Sequence, residues 1–147
     1  MNKLLLGLGL GAVAVASTGC TSFRFQKAWR EAEASERWEG SWKSALRGNG
    51  GALRAIVKSP QQEERKQVLD VFFEAHWHGF VTAYPVSLKQ EIPRRKDQPR
   101  AVRGEHDLKS FPGGGVYHYT GDLSAGEFKV EYRSAYDTGE FVLHPAR

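Results

Sequence analysis

Residues 128–143 read FKVEYRSAYDTGEFVL, and they decide the fold class. Phe128, Val130, Tyr132, Ser134 and Tyr136 alternate with Lys129, Glu131 and Arg133. A period of two, with charge on the opposite positions, belongs to a strand that has one face in a core and the other in water. Asp137-Thr138-Gly139 supplies turn residues, and Phe141 and Leu143 resume the inward set on a returning strand. The stretch is a β-hairpin, and short alternating runs broken by Gly, Pro and Asn extend back from it to Trp38.

Working back from the hairpin, the alternation predicts six earlier strands. Trp38, Gly40, Trp42, Ser44 and Leu46 share a face against Glu39, Ser41 and Lys43. Leu53, Ala55 and Val57 point inward from 52–58, and Leu69, Val71, Phe73, Ala75 and Trp77 from 68–77, with Asp70, Glu74 and His76 outward. The run 80–92 contains Pro85, which requires a bulge or an edge. Val102 to Leu108 and Val116 to Gly121 complete the set, and Asn49-Gly50-Gly51, Gly79 and Pro112-Gly113-Gly114-Gly115 are the turn signals. Ahead of the strands, residues 23–35 (FRFQKAWREAEAS) lack Gly and Pro and place Phe25, Ala28, Trp29 and Ala32 on one helical face, so a short helix serves as a plug or strap against the sheet. Eight strands joined by short turns form an antiparallel meander, which loses its exposed edges by closing into an up-and-down barrel; a sandwich is the alternative.

The chain has 147 residues, enough for one domain. Its 21 Lys and Arg against 17 Asp and Glu give a net charge of +4, too mild for a nucleic-acid binder, and its single cysteine excludes an intrachain disulfide. Lys3 followed by the apolar run Leu4 to Ala16 has the form of a signal peptide, too short to span a bilayer comfortably. Ser17-Thr18-Gly19-Cys20 resembles the lipobox of bacterial lipoproteins, with Ser17 where Leu is usual. The resemblance implies cleavage after residue 19 and acylation of Cys20, whose sulfur is then a thioether and neither a nucleophile nor a metal ligand. Several acyl chains on one residue hold a protein stably on a membrane. Thr21 after the cysteine, in place of Asp, resembles the outer-membrane sorting signal of Gram-negative lipoproteins. The expected organisation is a leader at 1–19, an anchored segment with the helix at 20–36 and a barrel domain at 37–147, in the bacterial cell envelope.

Gly40-Ser41-Trp42 on the first strand after a helix resembles the G-x-W opening of lipocalins and the wider calycin group, where the tryptophan closes one end of the barrel. The expected fold is therefore an eight-stranded, calycin-like barrel. The chain departs from lipocalins in being shorter and in having a tight first hairpin turn, Arg47 to Gly51, where lipocalins carry a large loop. A second resemblance covers most of the mature chain. Trp38-x-Gly40-x-Trp42-x-Ser44, Gly51-x-Leu53-Arg54-Ala55, Gly114-Gly115-Val116-Tyr117-x-Tyr119-x-Gly121, Phe128, Tyr132-x-Ser134 and Asp137-x-Gly139-x-Phe141 are similar to a family of small bacterial lipoproteins without an established activity. It implies a shared fold and anchor and transfers no catalytic or binding residue.

An eight-stranded barrel is filled by its own side chains or holds one small ligand. The expected function is binding of a small apolar or amphipathic envelope molecule, with Trp42, Phe73, Tyr117, Tyr119, Phe128 and Tyr132 as walls; the alternative is a packed barrel that acts through its surface as a structural or adaptor protein. His76-Trp77-His78 puts two imidazoles on one strand face, but no carboxylate or cysteine accompanies them at a ligand spacing, and no metal or cofactor is expected. Neither a G-x-S-x-G elbow nor a P-loop is present, and the expectation is a protein that is not an enzyme. By strand parity the connections after strands two, four and six lie at the end where strand one begins, the end assigned also to the helix and the lipid. Arg94, Arg95, Lys96 and Arg100 would there meet anionic head groups, or else form a solvated loop.

Overall fold

The computed structural model describes residues 21–59, 67–108 and 114–147. The leader, Cys20, most of the charged connection after Lys58 and the Pro112-Gly113 part of a turn lie outside the described residues. Strands β1 (Arg37–Ser44), β2 (Gly50–Lys58), β3 (Val68–Trp77), β4 (Phe80–Gln90), β5 (Arg100–Asp107), β6 (Val116–Leu123), β7 (Phe128–Arg133) and β8 (Thr138–Pro145) follow one another. Each pairs antiparallel with the next, and β8 returns to β1 from Trp38↔Pro145 to Ser44↔Gly139. The fold is the closed barrel, not the sandwich.

Two strands are shorter than their alternation. The seventh stops at Arg133 because residues 134–137 form a tight turn, in which the Ser134 hydroxyl accepts the N–H groups of Tyr136 (3.2 Å) and Asp137 (3.0 Å). The first stops at Ser44, and Leu46 stands in water on the following turn. The β3–β4 turn is His78-Gly79, both with positive φ (45° and 80°), which suits the right-handed twist of a two-residue hairpin.

The register between β3 and β4 runs unbroken from Val68↔Lys89 to Trp77↔Phe80, so Pro85 makes no bulge. It sits at an edge instead. β4 pairs with β5 only at Lys89↔Arg103 and Gln90↔Val102, and a residue without an N–H costs least where no ladder partner waits. Above those pairs a seam opens in the wall, bridged by the stacked rings of Tyr84 and His106, 5.6 Å apart at 15°. Burial against that ring holds His106 below the usual imidazole range, with Asp107 opposing the shift.

Helix α1 (21–31) lies on the outer wall as a strap. Phe25, Ala32, Ala28 and Trp29 pack on Ile56, Phe72 and Ala83, the outward residues of β2, β3 and β4. Arg37 ends the helix by donating to the Ala32 carbonyl (2.7 and 3.1 Å) and the Arg30 carbonyl (3.2 Å), which would otherwise lack partners. The helix descends: Ser22 lies at the level of Glu74 near the end of β3, whereas Ala32 lies beside Ile56, opposite the start of β1. Its start is thus at the far end of the barrel from the charged connections after β2 and β4, so the expectation that the helix shares their end holds only for its last residues, and the expected lipid at Cys20 falls outside the described residues. Strand parity placed the connections correctly; it carries no information about a helix that doubles back before β1.

One core fills the barrel, from Trp38, Phe128, Leu143 and Val102 at the closed end to Phe73, Tyr119 and Phe141 beneath the mouth. The outer face carries Lys43, Arg103, Glu105, Lys129, Glu131 and Glu140 in water, unlike the apolar band of a membrane-spanning barrel.

Candidate functional site

The connections after β1, β3, β5 and β7 surround a cup of about 110 Å³ that opens at the end where α1 begins. Inward alternation brings Trp42 from β1, Ala75 and Trp77 from β3, Thr82 and Tyr84 from β4, Tyr117 and Tyr119 from β6, Tyr132 from β7 and Phe141 from β8 to its wall. Phe73 seals the floor, its ring 5.4 Å from Phe141 and 5.7 Å from Tyr84. An engineered dry cavity of about 150 Å³ takes benzene, so the cup has room for a single small ring or a short branched chain.

Two glycines let aromatic side chains form this wall. Trp42 crosses β2 to donate its indole N–H to the His76 carbonyl at 2.9 Å, passing over Gly51, where a Cβ would collide with that same carbonyl. Tyr132 lies over Gly139, where a Cβ would meet its ring and hydroxyl.

Polar groups are few and unequal. Asp137 accepts the hydroxyl protons of Ser44 (2.6 Å) and Tyr132 (3.0 Å), and Ser44 in turn accepts the Arg47 N–H at 3.0 Å, which ties two mouth turns together. The Tyr119 hydroxyl is buried and reaches no hydrogen-bond partner among the described residues, and the Asn49 side-chain oxygen is in the same state. The nearest polar neighbour of Tyr119 is the Tyr84 hydroxyl, which couples to it at the margin of hydrogen-bond geometry. Burial, reinforced by neighbouring phenols and at Tyr132 by Asp137, pushes Tyr84, Tyr119 and Tyr132 well above the usual phenol range. All three stay neutral donors.

Of the six residues expected to line a ligand site, Trp42, Tyr117, Tyr119 and Tyr132 meet at the cup. Phe73 lies beneath it and Phe128 packs on Trp38 at the opposite end, so neither is a wall of the cup. Alternation reports which face a residue takes and not its height along the barrel axis. Tyr84 was not singled out, although the two-residue turn at His78-Gly79 already places it opposite Phe73. Trp42 is at the mouth, and Trp38 is the tryptophan at the closed end.

Arg94, Arg95 and Lys96 stand exposed at the closed end; Arg95 is paired with Asp97 at 2.8 Å, and Arg100 donates to Gln90 at 3.2 Å. They are a barrel's height from the start of α1, an 11-residue helix about 16 Å long. Among the described residues no three His, Cys, Asp or Glu side chains converge as metal ligands, and no helix is long and apolar enough to cross a membrane.

A second polar cluster holds the strap. Glu74 is fully buried beneath α1, and its carboxylate accepts Arg54 (2.6 and 3.2 Å), Gln26 (2.7 Å), Ser22 (3.4 Å) and His76 (3.1 Å). Burial alone would raise its carboxyl, but Arg54, His76 and Gln26 outweigh it and hold Glu74 below the usual carboxylate range. The Arg54 guanidinium is also covered by the Trp29 ring at 4.9 Å and the Phe25 ring at 5.5 Å. Compared with known proteins, the chain matches no protein-family model, no curated protein and no solved structure.

Proposed function

We propose that this chain is a bacterial envelope lipoprotein, acylated at Cys20, whose barrel is a binding module and not an enzyme. Its mouth takes a small apolar or amphipathic group, or the end of a larger molecule. The observation that carries this reading is the Tyr119 hydroxyl, buried in a mostly apolar and aromatic cup without a well-formed hydrogen bond. A buried donor in that state costs roughly 1–3 kcal/mol, which a ligand acceptor would recover. The Asn49 oxygen offers a matching acceptor at the rim. Apolar walls with few oriented polar groups are the usual form of a small-molecule site, although at about 110 Å³ this one engages only part of a drug-sized ligand. The filled lower core favours a second reading, a packed barrel acting through its surface.

Native mass spectrometry of the processed protein from bacterial envelopes separates the two. The binding reading expects a small adduct that disappears on denaturation and weakens in Tyr119→Phe. A bare mass that gains nothing on incubation with envelope lipid extract would leave the surface reading standing.

A further inference from the structure

Six large apolar side chains stand in water among the described residues, and five of them are at the mouth end. Leu46 (68% exposed) is on the β1–β2 turn, Phe80 (66%) follows the β3–β4 turn, Val116 (43%) begins β6 and Tyr136 (56%) is on the β7–β8 turn. Each of the four mouth connections therefore has one on it or at the strand end that adjoins it. Phe23 (67%) adds a fifth on the first turn of α1, and Ile92 is alone at the closed end. Single exposed apolar residues are ordinary on any surface, but scatter does not put one at every connection of one end and, among the described residues, a single one at the other.

We propose that this rim is the face by which the barrel sits on a lipid bilayer, mouth down. The position of the chain outside the described residues identifies the occupant. The single cysteine, Cys20, read above as the acylation site, directly precedes Thr21, the first residue of α1. The Glu74 cluster clamps the start of α1 high on the wall through Ser22 and Gln26, so Thr21, the residue after Cys20, lies beside the rim and not beside the basic loop. Arg24, Lys27 and Arg47 are exposed near the same end, where cations meet anionic head groups. The closed end has the denser positive charge but only Ile92 to insert. Phe80 and Tyr136 belong to the rim and also line the cup, so the cup opens directly onto the bilayer surface, and its occupant arrives from the lipid phase. The proposal rests on the reading above for the anchor at Cys20 and is independent of whether the cup binds anything.

The test uses the processed protein in vesicles of phosphatidylethanolamine and phosphatidylglycerol whose acyl chains are brominated near the head group. Two of the four tryptophans, Trp42 and Trp77, are at the mouth, so brominated lipid should lower emission about twofold. The exposed double substitution Leu46→Ser with Phe23→Ser, both outside the cup wall, should abolish that quenching while the thermal unfolding curve stays in place. Arg94→Ser with Lys96→Ser should leave the quenching unchanged. The proposal is overturned if unmodified protein is not quenched, or if the closed-end variant loses the quenching instead. It is overturned equally if the rim substitutions dissolve a dimer in sedimentation without altering lipid contact, since the rim is then a protein interface. The intact mass reports acylation separately; if Cys20 is unmodified, the same quenching is read after adding the protein to preformed vesicles, and the two ideas fail or survive apart.

Discussion

At the closed end of the barrel Trp38 meets Phe128 edge to face at 6.3 Å, packed among Val102, Leu123 and Leu143, whereas at the mouth five tyrosines surround the cup. Both ends are made by the same inward alternation of the same eight strands. They differ in chemistry: hydrocarbon against hydrocarbon closes completely, while phenol rings bring hydroxyls that must be paired or left hungry. Tyr132 is paired through Asp137, and Tyr119 is not. The mouth also carries the seam between β4 and β5, so its wall is held by ring stacking where the closed end is held by a continuous ladder.

The sharpest way to break that comparison is Phe128→Ala, which empties a fully buried site and should cost about 3–5 kcal/mol in chemical denaturation. Tyr117→Ala, at the half-open mouth, should cost about 1 kcal/mol. Equal losses would show that the mouth is as tightly packed as the base. Next in size is Glu74→Gln, which leaves Arg54 under the strap without its counter-charge and should cost roughly 3 kcal/mol and release α1, followed by Trp29 fluorescence. Replacing Arg54 and Glu74 together by Met should recover most of that loss, because the desolvation cost disappears with the pair.

The same carboxylate sets a pH dependence with a definite sign. Its folded value is lowered, so its contribution to stability is fully present above the ordinary value of 4.5 and is lost as pH falls through the lower folded value. Acid unfolding of wild type should steepen below 4.5, and the Gln variant should lack that step. The smallest expected change is Tyr119→Phe, between no loss and a gain of about 1 kcal/mol, since the deleted hydroxyl is a buried donor without a well-formed hydrogen bond. A loss would mean that the hydroxyl is satisfied in solution.

Much of the barrel was legible because its cause is local. Lys129, Glu131 and Arg133 interleaved with Phe128, Val130 and Tyr132 commit one face of that strand to water wherever it is placed, and His78-Gly79 dictates its hairpin. The helix face Phe25, Ala28, Trp29 and Ala32 was equally plain. Its landing place was not, because Ile56 and Phe72 lie on outward faces that alternation assigns to solvent. Glu74 shows the same gap. An outward charged residue in β3 looks solvated, and only the helix passing over it makes it a buried clamp.

For the candidate site the division falls in the same place. Residue order by itself determined the eight strands, the inward faces, the turn positions and therefore an aromatic interior, because a strand's periodicity is set by backbone geometry within a few residues. Only the tertiary structure decided which aromatics meet at the mouth and which sink to the base, that Pro85 marks an open seam, and that α1 begins beside the apolar rim. Those facts depend on register around a closed ring and on a helix docking across three strands. They arise from contacts between residues tens of positions apart, such as Gln26 with Glu74 or Ser44 with Asp137, and no local pattern encodes them.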